Sequence, residues 1–280
     1  MLELAGIGWT FGAVRCSLDR FITLNSLLKN PDKRVMGQQE RVADAVIAAA
    51  GQGKRVGARR NKLLLALGDR SVLERTLEVF RTHSRIRRIW LVVSPQDRDE
   101  IETLTAGMDI TLVNGGIRRQ DSVHCALTQL RESEAPTHVL IQDGARPFTT
   151  HDLIDRILDA CFEHGAAIPG VPLTDTIRRI REGTTEVIDR SKLIAVQTPQ
   201  GFQLDWLWNA SQQAQAQDGS VTDDASLLEN AGHRVHCVPG DPDNRKLTIP
   251  EDFEWARRLL VQVHPATFSS RSALSMPLHA

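Results

Sequence analysis

The sequence has no long uncharged segment and no excess of charge of either sign. The longest stretches free of Asp, Glu, Lys and Arg are 12 residues, as in 193–204, whereas a membrane-spanning helix needs about 20 apolar residues. The 34 basic and 35 acidic residues leave a net charge of −1, which argues against non-specific binding to nucleic acid. We therefore expect a soluble protein, and 280 residues are enough for one large domain or two smaller ones.

Cysteine is scarce, and the cysteines that are present lie far apart. None belongs to a Cys-x-x-Cys pair, so the spacing favours neither a disulfide framework nor a zinc site. Reduced thiols are typical of the cytosol, and we expect a cytoplasmic protein. The four residues are Cys16, Cys125, Cys161 and Cys237.

The two ends of the chain lack the periodicity of its centre. Residues 1–41 have no basic start followed by a compact apolar region, which a secretory signal requires, and we expect an N-terminal extension there. Met36 lies just ahead of the first apolar run and is a candidate for the natural start. Residues 264–280 are serine-rich and predict a flexible tail, which leaves 42–263 as the expected folded domain.

Short apolar runs alternate with helical stretches in that domain, which predicts an α/β fold with a mostly parallel sheet. Between 172 and 200 the pattern changes to a hairpin around a turn containing Gly183, a projecting arm. The predicted strands are 45–50, 86–93, 110–113, 139–141, 176–180, 186–189, 234–238 and a short one near 246–248. The predicted helices are 72–81, 96–104, one after Thr150, 204–215, 223–230 and 250–263, with a further helix through Cys125.

The most informative segment is the small-residue loop 48–55, Ala-Ala-Ala-Gly-Gln-Gly-Lys-Arg, which follows the first strand and leads to Lys62. Ligands bind at the carboxyl ends of strands in open parallel sheets. Small residues let backbone N–H groups approach phosphate oxygens, and Arg55 and Lys62 bring two positive charges. The spacing matches neither the P-loop nor the dinucleotide fingerprint, and a plain tight turn is the alternative. A nucleoside triphosphate is the ligand that such a loop suits.

Three further loops carry residues of the same chemistry. The glycine pair in 115–122 precedes Arg119 and Ser122, which are placed to contact a base or ribose. Asp143 follows an apolar strand, where a carboxylate holds Mg²⁺ between phosphates, and Lys246 adds another cation. Taken singly, the arginine and the aspartate are more typical of a solvated side chain and a turn former, and the lysine is also compatible with an ordinary surface position. Together the loops indicate phosphoryl chemistry.

These motifs occur in the order found in a known enzyme family. Gly-rich 49–55 with Lys62, Gly-Gly-x-x-Arg-x-x-Ser at 115–122, Asp-Gly-Ala-Arg-Pro at 143–147 and Gln-Thr-Pro-Gln at 197–200 resemble the 2-C-methyl-D-erythritol 4-phosphate cytidylyltransferases of the non-mevalonate isoprenoid pathway. The resemblance covers about residues 43–262. It implies a Rossmann-like nucleotidyltransferase domain that moves CMP from CTP to the phosphate of methylerythritol phosphate, with Mg²⁺ as cofactor and with pyrophosphate released.

The resemblance also implies roles for individual residues. It implies transition-state stabilisation by Arg55 and Lys62, and positioning of the acceptor phosphate by Arg190 and Lys246. It implies that the hairpin is a dimerisation arm of a homodimer. The residues implied to bind nucleotide are Ala49, Ala50, Gly51, Gly53, Gly116, Arg119, Ser122 and Asp143. Those implied to bind the acceptor are Arg146, Thr176 and Arg190, and Asp143 is the implied metal ligand.

The sequence departs from the family pattern at three places in the site, one of which is Arg245, which adds a charge beside Lys246. Asn61 stands where a proline often precedes the lysine, and Ile117 replaces an acidic residue seen in some members after the two glycines. Only 17 residues follow Val263, too few for the cyclodiphosphate synthase domain fused to some relatives, so we expect a monofunctional chain.

Two other functions are compatible with the same motifs. A pentitol-phosphate cytidylyltransferase, acting on ribitol 5-phosphate, shares several of them, and the arm sequence 175–192 favours the methylerythritol enzyme. A catalytically silent nucleotide sensor is the second alternative. Such a protein need not retain Arg55, Lys62, Asp143, Arg190 and Lys246 together.

Overall fold

The computed structural model describes residues 41–51, 61–134, 136–216 and 223–263, so residues 1–40 of the N-terminal extension, with Met36, and the tail lie outside the described residues. Strands of the first half are β1 (Ala43–Ala48), β2 (Ala66–Leu67), β3 (Arg70–Ser71), β4 (Ile86–Val93), β5 (Ile110–Asn114) and β6 (His138–Asp143). Those of the second half are β7 (Ala166–Pro172), β8 (Ile177–Arg181), β9 (Thr184–Ile188), β10 (Ile194–Val196), β11 (Gln200–Gln203) and β12 (His236–Pro239). The helices are α1 (Val72–Arg81), α2 (Arg98–Leu104), α3 (Arg119–Glu132), α4 (His151–His164), α5 (Leu204–Ala216), α6 (Asp224–Asn230) and α7 (Pro250–Val263).

The central sheet has the strand order β10-β7-β11-β6-β1-β4-β5, with β12 beside β7. Strands β6, β1, β4 and β5 are parallel neighbours, which confirms the predicted mostly parallel α/β sheet. Their carboxyl ends therefore meet at one edge, where Ala48 of β1 lies opposite Asp143 of β6. Every loop expected to bind the nucleotide leaves the sheet at that edge or lies beside it.

Helices cover both faces of the sheet because the central strands are apolar on both sides. Ile47 of β1 packs with α1, α4 and α7 in one buried cluster. Its neighbour Val46 packs with α3, α5 and α6 in another, as the alternation of side chains along a strand requires. Two cores are thus formed on the two faces of one sheet.

Local signals set several helix ends. Ser71 and Glu74 form a reciprocal capping box at the start of α1, the arrangement that such a spacing predicts. Thr150 accepts a hydrogen bond from the N–H of Leu153 at the start of α4, and Gly165 ends that helix with a φ of 83°. A side chain at Gly165 would also collide with Trp206, 2.3 Å from the position of a Cβ atom.

The antiparallel part of the sheet was not predicted. Strand β11 runs antiparallel to both β6 and β7, and β10 runs antiparallel to β7. A cis peptide bond at Thr198-Pro199 precedes β11. These strands are short or contain proline and glycine, so they carry little periodic signal.

The predicted strand near 246–248 is wrong. Its backbone is engaged elsewhere: the N–H of Leu247 donates to the carbonyl of Ala145 at 2.9 Å, and the N–H of Thr248 donates to the Asp252 carboxylate at 2.6 Å. The segment is therefore an extended loop tied to the loop after β6 and to the start of α7. Within the described residues, no helix is both long and apolar enough to cross a membrane.

Candidate active site

A cavity of about 930 Å³ lies at the carboxyl edge of the parallel strands. Loops that follow β1, β4, β5 and β6 form its walls, joined by the segments that carry Lys62 and Lys246. The lining residues that the sequence pointed to are Ala50, Gly51, Lys62, Gly116, Arg119, Ser122, Asp143 and Lys246. Side chains from positions up to 196 residues apart in the chain thus share one pocket.

Asp143 is the electrostatic centre of this pocket. Its carboxylate lies 2.9 Å from the Lys246 ammonium, 3.3 Å from Nε of Arg119 and 3.7 Å from Nε of Arg146. Burial by itself would raise the pKa of Asp143, but the three cations outweigh it and lower the pKa to about 2. The carboxylate is therefore ionised at neutral pH.

Arg119 enters the pocket from the first turn of α3 and joins two carboxylates. Its guanidinium lies 2.7 Å from Oδ2 of the fully buried Asp224, besides its contact with Asp143. Burial lowers the pKa of Arg119, yet the two carboxylates outweigh burial and raise that pKa. Asp224 was not predicted, because α6 lies 105 residues beyond Arg119 in the sequence and only the fold brings them together.

Lys62 lies in a single 3-10 turn, Lys62–Leu64, whose geometry is held by Asn61. Oδ1 of the Asn61 side chain accepts from the N–H of Leu63 at 3.0 Å, and Nδ2 of the same side chain donates to the Asp97 carboxylate at 2.8 Å. The Lys62 ammonium donates to the carbonyl of Leu247 at 2.6 Å. Asn61, at the position where the family resemblance led us to expect a proline, thus caps this turn with its side chain.

The glycine pair after β5 is needed for a close turn. A Cβ atom at Gly116 would lie 2.5 Å from Cβ of Asp121, so only glycine fits there. The N–H of Gly116 donates to the Ser122 hydroxyl at 3.1 Å, which ties the loop to α3. Ile117 is fully exposed at the pocket.

The remaining predicted residues divide into three groups. Ala49 is fully buried directly behind the pocket wall, and Gly53 and Arg55 lie outside the described residues. Arg146 is buried behind Asp143, with Nη1 donating to the Asn244 carbonyl at 2.7 Å. Thr176 and Arg190 belong to the hairpin region and are not among the described residues that line the cavity.

The hairpin of β8 and β9 pairs only with itself in the described part of the chain. Ile180 is 78% exposed and Val187 60% exposed, an unusual state for two branched apolar residues on one short hairpin. Arg190 follows the hairpin in a 3-10 turn capped by Asp189, and its guanidinium donates to the carbonyl of Thr174. The arm residues are therefore separate from the pocket within one chain.

A buried polar network behind the pocket was missed by the sequence analysis. Gln142, Thr149, Thr198 and Asn244 hydrogen-bond to one another under the floor formed by Asp143. Two of these residues belong to short motifs, Thr198 to Gln-Thr-Pro-Gln at 197–200 and Asn244 to a second family motif, Asp-Asn-x-Lys, at 243–246. No feature of the sequence shows that the two motifs touch.

Comparison with known proteins gives a consistent result. The family model described as 2-C-methyl-D-erythritol 4-phosphate cytidylyltransferase matches residues 43–262. Proteins of that name from Bacillus pumilus and Geobacillus kaustophilus are 41% and 43% identical over 223 and 222 residues, which is 78% of this chain and 96% of each relative.

Solved structures agree in fold. The crystal structure of 2-C-methyl-D-erythritol 4-phosphate cytidylyltransferase from Thermus thermophilus is similar with a TM-score of 0.65 at 30% identity, covering 76% of this chain and 96% of that one. The 4-diphosphocytidyl-2C-methyl-D-erythritol synthase from Anaerococcus prevotii is similar with a TM-score of 0.71 at 28% identity, covering 78% and 96%.

Proposed function

The chain belongs to the 2-C-methyl-D-erythritol 4-phosphate cytidylyltransferase family, and we propose that the cavity around Asp143 is where its two phosphorylated substrates react. The chain is a nucleotidyltransferase. It transfers CMP from CTP to 2-C-methyl-D-erythritol 4-phosphate, and the products are 4-diphosphocytidyl-2-C-methyl-D-erythritol and pyrophosphate, in isoprenoid precursor biosynthesis.

The single observation that carries the assignment of the site is the group of cations around one ionised carboxylate. Lys62, Lys246 and Arg119 all reach the cavity wall, and both substrates are polyanions. A phosphate oxygen of the acceptor attacks the α-phosphorus of CTP, and pyrophosphate leaves from the opposite side. Such a reaction needs alignment of two anions and compensation of the charge that builds in the transition state.

We assign the individual roles on that basis. Lys62, together with Arg55, stabilises the charge that develops on the triphosphate. Lys246 lines the cavity and contacts Asp143, and we assign it to the acceptor phosphate, the role that the family resemblance implies. Ala50, Gly51, Gly116 and Ser122 shape the nucleotide pocket, with Ala49 behind it.

Asp143 also fits the role of a Mg²⁺ ligand. No group of three or more His, Cys, Asp or Glu side chains able to hold a metal occurs in the described ranges. Mg²⁺ in nucleotide enzymes commonly takes one or two carboxylates, with phosphate oxygens and water completing its shell, so one ionised carboxylate on the pocket wall meets the requirement. Bound there, Mg²⁺ would neutralise phosphate charge and orient the triphosphate.

We propose further that the arm completes the site in a homodimer. Arg190 and Thr176 carry acceptor-binding roles in the family resemblance, yet within one chain they do not line the cavity. The exposed Ile180 and Val187 provide an apolar surface for a second copy of the same chain. A dimer in which each arm reaches the partner's cavity would bring Arg190 to the acceptor phosphate. Action in the cytoplasm is part of the proposal, since CTP is a cytoplasmic substrate.

Pyrophosphate release tests the function directly. Purified protein with CTP and Mg²⁺ is offered methylerythritol phosphate or ribitol 5-phosphate, and the product is identified by mass. Turnover with methylerythritol phosphate alone is expected. Equal or faster turnover with ribitol 5-phosphate would contradict the acceptor assignment, and CTP binding without turnover on either acceptor would indicate a nucleotide sensor.

A further inference from the structure

Three separate segments meet beneath the pocket at one fully buried amide, that of Asn244. Its Nδ2 donates to the carbonyl of Thr198 at 2.8 Å, and its Oδ1 accepts from the hydroxyl of Thr149 at 3.0 Å. We call these three residues the Asn244 clamp. The clamp joins the loop after β6, the loop before β11 and the loop that carries Lys246.

The backbone of the same residue is held as firmly as its side chain. The Asn244 carbonyl accepts from Nη1 of Arg146 at 2.7 Å and from Nε2 of Gln197 at 3.3 Å. The side chain of Gln197 also holds the start of the loop. Its Nε2 donates to the carbonyl of Asp241 at 2.7 Å, and its Oε1 accepts from the N–H of Asp241 at 3.1 Å. The loop is therefore anchored two residues before Lys246.

Thr198 connects the clamp to Asp143. Its hydroxyl accepts from the N–H of Asp143 at 3.0 Å and donates to Oε1 of Gln142 at 2.8 Å, while its carbonyl holds Asn244. The Asp143 carboxylate and the Lys246 ammonium meet at 2.9 Å. The buried Thr198 therefore holds both the backbone of Asp143 and the loop that carries Lys246. A buried network that is fully hydrogen-bonded is rigid and costly to disturb.

We propose that Asn244 is a positioning residue of the reaction, which sets the place of the Lys246 ammonium relative to Asp143 at the acceptor side of the pocket. The inference rests on the acceptor-phosphate role assigned to Lys246 above. A misplacement of about 1 Å in such a group is enough to lower the rate by about 100-fold. Asn244 itself is fully buried and has no direct role in binding substrate.

The test is a double-mutant cycle with Asn244→Ala, Lys246→Ala and the double variant, measured as kcat/KM for methylerythritol phosphate and as Kd for CTP. Asn244→Ala is expected to lower kcat/KM by about 10-fold or more, with CTP affinity within about twofold of the parent protein. If Asn244 acts through Lys246, the double variant loses no more than Lys246→Ala alone. The exposed Glu254 on α7 supplies the control variant Glu254→Ala, which should retain full activity.

Each other outcome has a distinct meaning. Losses that multiply in the double variant would overturn the inference while leaving the role of Lys246 intact. Full activity of Lys246→Ala would remove the role of Lys246, and the inference with it. An equal loss of CTP affinity in Asn244→Ala would show general damage to the pocket instead of positioning.

If Asn244→Ala does not fold, variants of Thr149 provide a second test of the inference. Thr149→Val preserves the shape of the side chain and removes the donor to Asn244, whereas Thr149→Ser retains the hydroxyl. Thr149→Val should lower kcat/KM for the acceptor with unchanged CTP affinity, and Thr149→Ser should restore it. Equal activity of the valine and serine variants would overturn the inference.

Discussion

Removal of the Asp143 charge should lower the stability of the protein, because three cations surround the carboxylate. Asp143→Asn keeps the shape of the side chain but leaves Arg119, Arg146 and Lys246 without their shared carboxylate. The pKa of Asp143 is lowered from 3.8 to about 2. Since one pKa unit corresponds to about 1.4 kcal/mol, the ionised group contributes about 2 kcal/mol to the free energy of unfolding at neutral pH.

The sign of the pH dependence follows from the direction of this shift. A lowered pKa in the folded state gives a contribution that is complete above about pH 4 and is lost as the pH falls toward 2. We expect Asp143→Asn to be less stable by about 2 kcal/mol at pH 7 and pH 5, which corresponds to about 4–8 °C in Tm for a domain of this size. At pH 3 the difference in the free energy of unfolding between the parent protein and Asp143→Asn should fall to about 1 kcal/mol.

Urea unfolding of the parent protein and of Asp143→Asn at pH 7, 5, 4 and 3 measures this difference in the free energy of unfolding. Asp159→Asn is the matched control, since the Asp159 carboxylate pairs with Arg85 but is 66% exposed, and it should change the free energy of unfolding by less than about 0.5 kcal/mol. A gap that stays constant or widens from pH 7 to pH 3 would refute the reasoning. So would an Asp143→Asn variant as stable as the parent protein at pH 7.

Three further changes test the proposed site. Lys62→Ala should lower kcat by about 100-fold or more with an unchanged unfolding midpoint, because a positioned charge acts mainly on the transition state; near-normal turnover would remove its role. Arg190→Ala should lower kcat/KM for the acceptor far more than it weakens CTP binding, with Lys192→Ala from the same turn as the control. Equal loss of CTP affinity would contradict that assignment. Aspartate at both Ile180 and Val187 should convert a dimer to a monomer in sedimentation and reduce activity, and an unchanged mass would argue against the arm as the interface.

Much of the fold is readable from the sequence because its signals are local. Helices α1 and α7 begin and end where the sequence predicts, at 72–81 and 250–263, since a capping box and a proline mark their starts. The parallel strands β6, β1, β4 and β5 are predictable because each contains a run of apolar residues. Strand β7 does not, because its sequence Ala-Ala-Ile-Pro-Gly-Val-Pro contains two prolines and a glycine, residues that are rare inside strands.

The start of α2 shows how a local contact can shift a predicted boundary. The sequence predicts a helix from Gln96, but the helix begins at Arg98. The N–H of Gln96 donates to the Ser94 hydroxyl, and the N–H of Asp97 donates to the Ser94 carbonyl. These bonds form a turn ahead of the helix, and Ser94 holds that turn.

The sequence by itself determined which residues are candidates for the chemistry, because glycine turns, cations and an aspartate at strand ends occur in short motifs. Only the tertiary structure decided how those residues meet. Lys62 reaches the carbonyl of Leu247 across 185 positions of the chain, and Asn244 links loops that no periodicity connects. Such pairings depend on sheet order and on the path of loops through a packed interior. The sheet order and the loop paths are set by the burial of many side chains together, so they cannot be predicted from a short motif.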